Sequence, residues 1–174
     1  MSKKMPTFVA KKRNAKEFFE MKRTVLTLIV LLSATLAFAQ KVYRGNSVYS
    51  SDIVCHIDQG KIYRGQEPYV SSVMARFDGT HLYQGNSSYS SDILLTYRNG
   101  KIYSGRSTYD SDVVASWRDG KMYRGRSVYQ SDVLFTYKDN KVYRRNEPYQ
   151  SSILLRTSGN VHPIILFMLL ASEL

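Results

Sequence analysis

Cysteine is nearly absent from this chain: Cys55 is the only one among 174 residues. An intramolecular disulfide is excluded, so packing and hydrogen bonding must carry the stability. Histidine is scarce too, and His56, His81 and His162 match neither HExxH nor any other metal-ligand spacing. No metal centre is expected. No glycine cluster follows a phosphate-loop or dinucleotide-binding pattern, so no cofactor is expected either. Long apolar runs are missing as well. The stretches 25–36 and 161–170 fall short of the roughly 20 residues needed to cross a bilayer.

The first of these stretches has a different use. In "MKRTVLTLIVLLSATLAFAQ", residues 21–40, Lys22 and Arg23 precede the apolar run, and Ala37 and Ala39 flank Phe38. This is the three-part pattern of a secretory signal, with cleavage expected between Ala39 and Gln40. Residues 1–20 read as an upstream extension and 21–39 as the signal, with Met21 an alternative start. The expected destination is the periplasm, the outer envelope or the medium, with no membrane span in the mature chain. The formal charge of +11 falls accordingly, because 17 basic and 12 acidic residues remain from Gln40 onward, a net +5. Nucleic acid is not the expected partner of such a chain.

What the sequence does contain is one sentence written six times. Copies of twenty residues start at Lys41, Lys61, His81, Lys101, Lys121 and Lys141, which makes 41–160 a gapless array. Slot two is always aliphatic or Met, slots three and nine are always Tyr, and slot thirteen is always Ile or Val. Each copy holds two β-prone runs, such as "KMYR" and "SDVLFTY". "RNG", "RDG" and "KDN" between copies suit tight hairpin turns, and Gly45, Gly65, Gly85, Gly105 and Gly125 mark a bend within copies. An all-β meander of twelve short strands follows.

Alternation predicts that slots thirteen, fifteen and seventeen share one face with slot two of the next copy, leaving slot fourteen opposite. Cys55 falls in slot fifteen, beside Ala75, Leu95, Ala115, Phe135 and Leu155 in other copies, and reads as a small buried hydrophobe. Slots seven and twelve always combine an acid with a hydroxyl: Ser47 with Asp52, Ser87 with Asp92, Ser107 with Asp112, Ser127 with Asp132, and in reverse Glu67 with Ser72 and Glu147 with Ser152. These pairs are expected to meet across the turn.

Such an array either stacks as a short β-solenoid or closes into a flower- or propeller-like ring. The first copy carries no cap-like deviation, which favours closure. Residues 161–174 leave the repeat, and their apolar part "VHPIILFMLL" is expected to plug the core or cap one end as strand or helix. An outer-membrane barrel is disfavoured by strands shorter than the roughly 9–11 residues such barrels use. "KIYRGQEPYVSSVMARFDG" and "KIYSGRSTYDSDVVASWRDG" resemble the Tyr- and Ser-rich hairpin repeats of small exported bacterial proteins described as β-flower-like. The resemblance covers 41–160 and implies an architecture, with no activity attached.

No catalytic constellation is present, since the recurring Ser-Asp pairs have no histidine partner. The expectation is therefore a non-enzymatic protein. Two features carry binding potential: the slot-three tyrosines Tyr43, Tyr63, Tyr83, Tyr103, Tyr123 and Tyr143, and the slot-four arginines Arg44, Arg64, Arg124 and Arg144. Rows of rings stack on sugars or cations, and guanidinium groups pair with acidic glycans or phosphates. The competing readings are a half-buried sheet surface for Tyr and a solvated strand edge for Arg. At the level of function, the alternatives are multivalent binding of a glycan or other envelope component, and a structural module that contacts a protein partner or its own copies.

Overall fold

A computed structural model of the chain describes residues 39–171. The readings of 1–20, of the signal up to Phe38 and of 172–174 lie outside the described residues. Each copy gives two strands: β1 (Gln40–Arg44) and β2 (Ile53–Asp58), β3 (Lys61–Arg64) and β4 (Val73–Phe77), β5 (His81–Gln84) and β6 (Ile93–Arg98), β7 (Lys101–Ser104) and β8 (Val113–Arg118), β9 (Lys121–Arg124) and β10 (Val133–Lys138), β11 (Lys141–Arg144) and β12 (Ile153–Thr157). Neighbours in sequence pair antiparallel, and β12 returns to β1, which closes the barrel. The seam repeats the register of the other junctions between copies. Val42 faces Thr157 and Arg44 faces Leu155, as Met122 faces Trp117 and Arg124 faces Ala115. Closure thus leaves no strand edge unpaired, which settles the choice between ring and solenoid.

The two kinds of connection divide the barrel into two ends. Between most copies a two-residue turn such as Asp119-Gly120 has φ of 51° and 75°, the mirror-image turn that matches strand twist. Within copies, slots five to twelve form a longer loop ending in a single 3-10 turn, as at Asp110–Asp112. That loop also shifts the pairing. Ile102 pairs with Ala115, but Tyr103 pairs with Val113, so Val114 is an extra residue in a β-bulge. Slot fourteen therefore faces inward, not outward as simple alternation predicts: Val54, Met74, Val114, Leu134 and Leu154 pack on the core with slots two and fifteen. Slot thirteen shares the outer face with the slot-three tyrosines.

A barrel of twelve strands is wider than the eight-stranded size that side chains fill unaided. The helix α1 (Pro163–Leu170) occupies the surplus space, burying Ile164, Ile165, Leu166 and Leu170. It is apolar all round because the barrel lining encloses it, with Phe167, Met168 and Leu169 partly open towards its end. The Tyr137 hydroxyl steers the chain inward, donating to the Gly159 carbonyl at 3.0 Å and accepting from the Val161 N–H at 3.2 Å. His162 then packs against Phe77 and Tyr97, both ring centroids 4.5 Å away, at the tight-turn end. Met168 and Leu169 reach the long-loop end, beside Arg44 and Arg64.

His162 also caps the helix, its Nδ1 accepting from the Ile164 N–H at 3.4 Å. Burial between the rings lowers its pKa from the usual 6.5, because the charged form loses water. The unfolded chain then binds a proton that the folded chain refuses. Stability is full above about pH 6.5 and declines as pH falls from there towards the folded-state pKa. Melting at about pH 7.5 and about pH 5.5 should show this loss, and His162→Asn, which keeps a capping acceptor, should reduce it. An equal loss in both proteins would rule His162 out.

Candidate functional site

The long-loop end gathers the groups with binding potential. Its backbone is set by the slot-seven serines. Ser47, Ser87 and Ser127 each donate to the aspartate of slot twelve at 2.5 Å, and Ser107 donates likewise to Asp112. The same serine oxygens accept the slot-nine N–H, as from Tyr109 at 3.2 Å. These bonds hold the Asp92 and Asp112 carboxyls below their usual pKa, with a second contribution from Ser91 and Ser111. The two reversed copies differ from expectation. Ser72 donates to the backbone carbonyls of Glu67 at 3.0 Å and Tyr69 at 2.7 Å, and Ser152 bonds the Glu147 and Tyr149 carbonyls. With a hydroxyl in slot twelve there is a donor to satisfy, and the nearby carbonyls take it in place of the glutamate side chain.

Burial separates the two tyrosine rows. In slot three, Tyr63, Tyr83, Tyr103, Tyr123 and Tyr143 are only 6–9% exposed, and Tyr43 is half-buried. They pack on the outer sheet face opposite slot sixteen, and the Tyr63 ring stacks on His56 at 4.6 Å. Little ring surface is left for a ligand. In slot nine, Tyr49, Tyr69, Tyr89, Tyr109, Tyr129 and Tyr149 are 64–76% exposed. The open aromatic collar is this second row, which lies on the loops outside the strand alternation. Slot sixteen also has a role that the repeat pattern did not suggest: Thr96, Ser116 and Thr136 donate to the slot-five carbonyl of the next copy at 2.6–2.8 Å.

The slot-four arginines share the inward side of the strands with slot two, but at the strand end, where Arg44, Arg64, Arg124 and Arg144 remain exposed. Ring closure places Arg144 next to Arg44. The four then form one continuous basic arc, and Gln84 and Ser104 complete the circle. Two clefts open along the arc. One, of about 480 Å³, has Arg44 and Arg64 above an apolar floor of Val54, Met74, Met168 and Leu169. The other, of about 260 Å³, lies between the fifth and sixth copies and includes Arg124, Arg144 and Arg145.

Other chemistry is thin. Cys55 is fully buried, and burial pushes its thiol up to about 12, so it stays protonated and unreactive at neutral pH. Among the described residues no group of three or more His, Cys, Asp or Glu comes together. No described helix is long and apolar enough to cross a membrane.

A closed ring of six hairpins with an exposed collar defines a β-flower architecture. The sequence profile of the 6-fold beta flower proteins matches residues 42–168, and the chain belongs to this family. The match extends through Met168 and so includes most of the helical plug as well as the ring. Neither a curated protein nor a solved structure matches the chain.

Proposed function

We propose that the protein is an exported, non-enzymatic binding module that grips a repetitive ligand of the cell envelope or extracellular surroundings, a glycan above all, through its long-loop end. The observation that carries this reading is the collar of six tyrosines, each 64–76% exposed at an equivalent position. An exposed ring offers an apolar face and a polar edge, which suits sugar rings, and six such sites multiply a weak contact through effective concentration. Export rests on the three-part signal pattern of residues 21–39. The test is a glycan-binding screen with wild type and a Tyr109→Ala/Tyr129→Ala double variant. Loss of about tenfold or more in avidity, with an unchanged melting temperature, is expected. The same change at the buried Tyr103 and Tyr123 should destabilise the fold instead. Binding unaffected by the double variant would overturn the collar.

A second reading, assembly with its own copies or a protein partner, draws on Val48, Val70 and Val128, which are 55–72% exposed on the same loops. Sedimentation of the purified chain separates the two. A stable oligomer broken by Val128→Asp would favour assembly.

A further inference from the structure

Five copies have glycine in slot five, with φ between 55° and 69°, and the sixth has Arg145 at φ 52°. The left-handed region disfavours any side chain with a Cβ. Space is available, since a Cβ on Gly45 or Gly65 would meet nothing within 4 Å. The backbone bond is kept as well, the Arg145 N–H donating to the Leu134 carbonyl at 3.0 Å. Arg145 thus adds strain at a position where the fold gains nothing from a side chain. What it adds is a third guanidinium to the cleft of Arg124 and Arg144. None of the three takes part in an ion pair among the described residues. The one carboxylate lining the cleft, Asp132, already accepts from Ser127, and three guanidinium groups against it leave the cleft doubly positive.

We propose that this cleft is a single binding site for a phosphate-bearing ligand, set apart from the five other junctions of the ring. Guanidinium forks match phosphate oxygens bidentately, and a dianionic phosphate balances the excess charge. Strain retained at a non-glycine residue is a recognised mark of a functional position. The inference deepens the proposed function, because it takes Arg124 and Arg144 as ligand-facing, but it does not need the tyrosine collar.

The test titrates the full mature chain by calorimetry with inorganic phosphate, a hexose phosphate, and vesicles of phosphatidic acid in phosphatidylcholine. One site per chain is expected, weakened about tenfold or more by Arg145→Gly or Arg144→Gln and unchanged by Arg98→Gln at the opposite, tight-turn end. Saturation by inorganic or hexose phosphate identifies a soluble or saccharide source, and response to vesicles alone identifies a lipid headgroup. Arg145→Gly should leave the melting temperature equal or higher, since it relieves strain. Several equivalent sites, equal weakening by Arg98→Gln, a lower melting temperature in Arg145→Gly, or no binding to any probe would overturn the proposal. Glycan binding that persists while phosphate binding is absent would reject the cleft alone, and loss of both would reject the collar with it.

Discussion

A chain ending at Asn160 is expected not to fold. It keeps all six copies, yet loses Val161, Ile164, Ile165, Leu166 and Leu170, each at most 3% exposed. At about 2 kcal/mol per buried aliphatic side chain, the loss is on the order of 10 kcal/mol. That equals the whole stability of a typical domain. The lining left behind, Val42, Ile62, Leu82, Ile102, Met122 and Val142, is fully buried in the intact chain and would face a water-filled lumen. A graded version is Leu166→Ala, expected to cost about 3 kcal/mol, because twelve hydrogen-bonded strands cannot collapse onto the cavity. Urea unfolding measures both. A cooperative melt of the truncated chain near the wild-type midpoint would show that the ring is self-sufficient and the helix an accessory.

Two glycines that look alike in sequence should respond very differently to alanine. Gly60 and Gly65 both have positive φ, 77° and 69°, so both substitutions introduce left-handed strain of about 1 kcal/mol. At Gly65 nothing lies within 4 Å of the added Cβ, whereas at Gly60 the Phe77 carbonyl oxygen lies 2.4 Å from it. The Phe77 N–H also donates to the Gly60 carbonyl at 2.7 Å, so relieving the clash pulls apart a bond between turn and strand. Gly60→Ala should therefore cost about 3 kcal/mol or more, against about 1 kcal/mol for Gly65→Ala. Equal losses by chemical denaturation would mean that the turn moves freely and that steric crowding is not what reserves Gly60.

The two outcomes illustrate which details the repeat encodes openly. The hairpin turns are legible because Asn-Gly and Asp-Gly favour the mirror-image turn wherever they stand between β-prone runs. The bulge is not. The extra residue in slot fourteen is as apolar as slots thirteen and fifteen, so Val113, Val114 and Ala115 give no pattern from which a face could be chosen. The plug is half legible: ten apolar residues must be buried, but whether they coil depends on the lumen that receives them. Pro163 and His162 act as helix-starting residues only once that space exists.

At the candidate site the division is similar. Both tyrosine rows are visible as residues, and nothing in the letters distinguishes Tyr103 from Tyr109. Burial does so, because slot three lies within the sheet and slot nine on the loop. The basic arc is even less visible, since Arg64 and Arg124 are far apart along the chain and become the two ends of one stretch only when β1 meets β12.

The sequence by itself determined the count of copies, the strand-turn-strand character of each, and the apolar rows that must be hidden, because these follow from local propensity and periodicity. Only the tertiary structure decided which face each row occupies, that the ring closes and what fills it, and which tyrosines and arginines stand open to a ligand. Those depend on distances between residues remote in the chain, which local preferences do not contain.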